Sequence, residues 1–187
     1  MGAQFFNVAA QTCTWTYTII YAQDVVGTSP EAAGWWLQGS LLLFLVARFV
    51  MVLVLGIVRP ALLLLVMAVF GVGCCLTSIL VLNIVGLIAV VCISAALSLM
   101  FPTIYGIALR GLGDDAKFGA AGLIMAILGG SVLPPLQASI IDLGKIDGMP
   151  AVHVSFVLPF ICFVVVCMYG FRTYKRQHAE TERVGRS

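Results

Sequence analysis

Charge is what this chain has least of. Lysine and arginine number 10 and aspartate and glutamate 8, so that 10% of its 187 residues are charged. A soluble domain carries about 25%, and a mean hydropathy of +1.11 excludes water as the main solvent. The net charge of +2 is too small to argue for nucleic acid, so no such partner is expected. Catalytic vocabulary is also missing. There is no H-E-x-x-H, no G-x-S-x-G and no acid pair inside an apolar segment, as metal-dependent, nucleophilic or acid–base hydrolysis would need. The two histidines, His153 and His178, fall at an interface and in the tail. A membrane enzyme is therefore disfavoured, and no cofactor or metal is expected. The six cysteines, Cys13, Cys74, Cys75, Cys92, Cys162 and Cys167, all lie in apolar runs and none forms C-x-x-C. They read as small buried apolar residues rather than ligands or disulfides. Met1-Gly2-Ala3 lacks a basic leader and the first apolar stretch contains glutamine and asparagine, so no cleavable signal peptide is expected.

What is present is hydrocarbon, 61% of the residues. Continuous apolar runs of about 20 residues read as membrane helices, and their lack of alternation sets barrel strands aside. Six spans are expected, at 3–22, 35–57, 60–82, 84–109, 118–141 and 151–171. Residues 60–109 hold no charge at all. As one helix they would be ~75 Å long against a ~30 Å core, so the chain must turn back near Asn83. The fold class expected is an all-α polytopic membrane protein: a six-helix bundle over 1–171, then a basic cytoplasmic tail over 172–187.

Basic residues give the direction. Arg59, Arg110, Lys117, Arg172, Lys175, Arg176, Arg183 and Arg186 fall on one side of the spans. Only Lys145 falls on the other, among Asp24, Glu31 and Asp147. The positive-inside rule puts the eight in the cytoplasm, and with six spans both termini lie there. Trp35 and Trp36 at the outer interface and Tyr169 and Tyr174 at the inner one fit aromatic belts. Between spans four and five, Gly111 and Gly113 permit a tight turn, and Asp114 or Asp115 can cap the next helix.

Polar residues inside lipid are costly. Gln4, Asn7, Gln11, Thr14 and Thr18 repeat at intervals of 3, 4, 3 and 4, one face of a helix, with Trp15 at its border. Amides beside an indole suit a sugar, hydroxyls to the amides and C–H faces to the ring. The same stripe can serve as glue between helices, and both readings stay open. Arg48 is the one charge inside a span. It either snorkels to the cytoplasm or faces a wet cavity, where any acid paired with it would come from outside this chain. Gly122, Ala126 and Gly130 form a small-residue face that permits close approach. Pro102, Gly129-Gly130 and Pro134-Pro135 weaken their helices, by lining a path or by a packing kink.

The segments "AQFFNVAAQTCTWTY", "ARF", "MFPTIYGIALRGLGDDAKFGAAGLIMAILGGSVLPPL" and "IID" resemble the fucose–proton symporter family of the major facilitator superfamily, specifically its C-terminal six helices. The likeness runs from Ala3 to about Phe171. It implies twelve spans in two halves with sugar held between them. The family's glutamine, tryptophan and tyrosine of the first span fall on Gln11, Trp15 and Tyr17, and an aromatic before Pro-Thr falls on Phe101. Phe101 replaces a tyrosine and Ile20 an arginine. Gln4, Asn7, Gln11, Trp15, Phe101 and Tyr105 are thus the candidate sugar-binding residues, with Arg48 as the cavity or ion-pair residue. The resemblance also implies a monosaccharide substrate, a proton as coupling ion and residence in a plasma or bacterial inner membrane. Its proton-carrying acids belong to the N-terminal half, so the expected partner is that half. The alternative is a half-size transporter that pairs with a second copy of itself.

Overall fold

A computed structural model describes residues 2–109, 116–146 and 149–184. Arg110, Gly111, Gly113, Asp114, Asp115, Asp147 and Arg186 lie outside them, and with them the expected turn and cap between the fourth and fifth spans. The helices are α1 (Gly2–Val26), α2 (Pro30–Leu55), α3 (Pro60–Leu80), α4 (Ile84–Leu109), α5 (Ala116–Met125), α6 (Gly129–Ile141), α7 (Ala151–Ser155) and α8 (Val157–Val184). The fold is an all-α membrane bundle. The one β element among the described residues is a two-residue antiparallel ladder, Lys145–Ile146 with Met149–Pro150.

Local chemistry accounts for the boundaries. At Gly27, φ is +73°, a conformation glycine adopts without steric cost. Its N–H donates to the Gln23 carbonyl at 3.0 Å, closing α1. Two residues later Ser29 accepts from the Ala32 N–H, and Pro30 occupies the first turn of α2. That cap starts the second helix five residues earlier than hydropathy alone places it. The turn in the long uncharged run falls at Val81–Asn83, where Asn83 accepts from the Gly86 and Leu87 N–H groups.

The fifth span is where the breakers act. Its irregular turn is a 3₁₀ segment, Ala126–Leu128. Helix α6 then runs through Pro134 and Pro135. The two prolines are the sixth and seventh residues of α6, past its first turn, so each removes an interior backbone donor, those toward the Gly130 and Ser131 carbonyls, and weakens the helix there. The sixth span is two pieces, α7 and α8. Helix α8 continues through the basic tail to Val184, since Arg, Lys, Gln, Ala and Glu are good helix formers.

Among the described residues, five helical stretches are long and apolar enough to cross a membrane: Pro30–Leu55, Pro60–Leu80, Ile84–Ala108, Gly119–Ile141 and Ala151–Ala179. Helix α1 is the sixth helix of the bundle, and its polar stripe lowers its hydropathy. Burial separates these stretches. The apolar window of α4 is 61% buried, whereas that of α2 is 6% and that of the fifth span 12%. One packed cluster gathers Ala9, Ala10, Leu64, Ile93, Leu97, Met100 and Phe163 from α1, α3, α4 and α8. Helix α4 is thus the centre of the bundle, and α2 and the fifth span present most of their surface outward.

Candidate functional site

The stripe on α1 divides as it ascends. Gln4 and Asn7 are sealed inside the bundle, and all four of their amide N and O atoms lack a hydrogen-bond partner among the described residues. The hydroxyls of Thr14 and Thr18 donate to carbonyls of their own helix, Ala10 at 2.8 Å and Thr14 at 2.6 Å. Gln11 differs: it is half-buried and reaches a cavity.

That cavity has a volume of about 290 Å³. Gln11 and Trp15 enter it from α1, Phe44 and Arg48 from α2, Phe101 from α4 and Ile127 from the 3₁₀ turn. Trp15 is held on two sides. Its indole N–H donates to the Ser94 hydroxyl at 3.0 Å, and Ser94 is itself hydrogen-bonded to Ser40 on α2. The indole also meets the Phe44 ring edge to face, with centroids 5.0 Å apart and planes at 88°. One turn along α2, the Arg48 guanidinium carbon lies 5.9 Å from the centre of the Phe44 ring, within cation–π range. Buried serines therefore orient the indole, and an aromatic ring supports the cation.

Of the residues expected from sequence, Gln11, Trp15, Phe101 and Arg48 share this cavity. Gln4 and Asn7 lie within the bundle, and the half-buried Tyr105 is not on the lining. Tyr17 is occupied elsewhere: its hydroxyl donates to the Pro134 carbonyl at 2.8 Å, tying α1 to α6. Sequence reasoning passed over Phe44, Ser40 and Ser94. The two serines carried a faint signal, lone hydroxyls in long apolar runs, but nothing in one sequence pairs position 15 with position 94.

Among the described residues no carboxylate lines the cavity. Its polar groups are the Gln11 amide with donors and an acceptor, the Arg48 guanidinium with donors only, and the Thr12 hydroxyl and Trp15 indole N–H, whose protons go to the Val8 carbonyl and the Ser94 hydroxyl. They can hold hydroxyl groups, and the indole can hold an apolar ring face. They offer no site on which a proton could be carried. Among the described residues no cluster of histidine, cysteine or acid is disposed to hold a metal ion.

No protein-family model matches the chain. It is 41% identical over 173 residues to the L-fucose-proton symporter of Haemophilus influenzae, covering 92% of this chain and 40% of that protein. The L-fucose-proton symporter of Escherichia coli is 31% identical over 169 residues, 90% of this chain and 37% of the other. A glucose/galactose transporter of Brucella abortus is 37% identical over 73 residues. The crystal structure of a major facilitator superfamily transporter, FucP, in the outward conformation matches with a TM-score of 0.85 at 30% identity, covering 92% of this chain and 41% of that one. The chain spans about two fifths of the length of these symporters.

Proposed function

The chain is related in sequence and in fold to the fucose–proton symporter family of the major facilitator superfamily, and we propose that it is the C-terminal half of a sugar–proton symporter. It is a transport protein and not an enzyme. Its substrate is a monosaccharide of the fucose or hexose kind, and it lies in a plasma or bacterial inner membrane with both termini cytoplasmic.

The observation that carries this reading is the convergence of Gln11, Trp15, Phe101 and Arg48 on one cavity. At about 290 Å³ it is at the lower limit of ligand pockets, roughly 300–1,000 Å³, as half of a shared site would be. Two of its walls come from α2 and the 3₁₀ turn of the fifth span, the elements whose spans are least buried. A second six-helix unit laid across α2 and the fifth span covers those surfaces and closes the cavity. It also has to supply the acid that carries the proton, since none of the described residues lining the cavity is an acid. The chain's two-fifths coverage of its relatives favours the N-terminal half as that unit.

In this reading Gln11 bonds sugar hydroxyls, Trp15 stacks on the C–H face and Phe101 adds apolar contact. Arg48 contributes fixed donors and meets the carboxylate of the other half. The test is reconstitution. Full chain in proteoliposomes is expected to show no proton-driven accumulation of fucose, and co-expression with a matching N-terminal half is expected to restore it. Concentrative, proton-driven uptake by the chain alone, together with a dimeric mass in detergent, would establish instead a half-size transporter working as a pair.

A further inference from the structure

A second recess lies between the first turns of α1 and the middle of α8, with a volume of about 380 Å³. It shares no lining residue with the sugar cavity. From α8 it takes Val165, Met168, Tyr169 and Arg172, and from α1 Phe6. The positions on α8 follow i, i+3, i+4, i+7, which is a single helix face. Along that face the chemistry changes in order: apolar at Val165 and Met168, aromatic at Tyr169, cationic at Arg172. Lys175 and Arg176, three and four residues further, continue the same stripe. All three cations are exposed. The Lys175 ammonium lies 5.5 Å from the centre of the Phe171 ring, drawn back toward the apolar end.

A recess that is apolar along its length and cationic at its mouth fits an amphiphile with an anionic head. We infer that it holds an acyl chain of an anionic phospholipid, whose phosphate is bound by Arg172, with Lys175 and Arg176 completing the charge. A guanidinium matches phosphate geometry with two parallel N–H donors, and clustered basic residues at the membrane surface attract anionic headgroups. Phe6, Val165 and Met168 offer nothing to a free anion but give a hydrocarbon chain continuous contact. This bound lipid would seat the start of α1, and with it the helix that carries Gln11 and Trp15, against α8.

The experiment uses the full chain in detergent with phosphatidylglycerol or phosphatidylcholine, read by native mass spectrometry and by thermal unfolding. Phosphatidylglycerol is expected to stay bound and to raise the melting temperature, and phosphatidylcholine to do neither. Arg172→Gln is expected to weaken retention by about ten-fold or more, the scale of losing one charge-assisted bidentate contact. Arg59→Gln, an exposed basic residue away from the recess, is expected to change nothing. Equal retention of both lipids would overturn the proposal. So would equal loss in the two variants, which would mark diffuse surface charge. Displacement of the lipid by soluble glycerol phosphate would show a small-anion site and overturn it as well.

Discussion

At the scale of the residue, two glutamines on one face of α1 are predicted to behave in opposite ways. Gln4 is fully buried and its amide lacks a partner among the described residues. An unsatisfied buried polar group costs about 1–3 kcal/mol. Gln4→Met, close in volume, is therefore expected to leave the melting temperature unchanged or raise it. Gln11 is half-buried at the cavity. Gln11→Met should hardly move the melting temperature, while sugar affinity in the complete transporter falls. A clear drop in stability for Gln4→Met would mean that the amide has found a partner. Trp15→Ala removes the stacking surface, and one aromatic contact is worth about 1 kcal/mol or more. Sugar affinity by calorimetry should fall about five-fold or further. Normal affinity in the folded protein, with only a lowered melting point, would make the stripe helix glue and remove the site assignment.

At the scale of the element, glycines set how closely helices cross. A Cβ on Gly129 would run into the Phe5 carbonyl oxygen of α1, and one on Gly130 would stand 2.7 Å from the Thr12 hydroxyl. Backbone atoms cannot step aside as a flexible side chain can, and overpacking of this kind typically costs about 1–3 kcal/mol. Gly129→Ala is expected to lower the melting temperature and to open the crossing of α1 with the fifth span. Gly73→Ala is the counterpart. Nothing lies within 4 Å of its Cβ, so higher helix propensity, up to about 1 kcal/mol, is expected to stabilise α3. If both alanines stabilise equally, the close crossing does not exist. The small-residue spacing was legible in sequence. Its partner, the two turns of α1 from Phe5 to Thr12, was not, because no local signal names the helix that will lie opposite.

At the scale of the whole molecule, topology follows from the basic residues. With eight on one side and one on the other, Lys145→Cys should react with a membrane-impermeant thiol reagent from outside and Arg176→Cys only from inside. The reverse pattern would invert the orientation and move the anionic-lipid recess to the outer leaflet.

Composition and run length by themselves determined the solvent and the helical class, because both depend only on summed local hydropathy and on chain length against membrane thickness, whereas α1, with its polar stripe, is placed in the bundle by packing. The polar stripe of α1 was equally readable, since a spacing of 3 and 4 needs nothing beyond helix geometry. Tertiary structure alone decided what the stripe does along its length. Gln4 and Asn7 are sealed where α1 is enclosed, and Gln11 and Trp15 reach a cavity where the walls are Phe44 and Arg48 of α2 and Phe101 of α4. A helix face acquires its environment from the surfaces packed against it, and those come from distant parts of the chain, from Phe44 of α2 to Ile127 of the 3₁₀ turn.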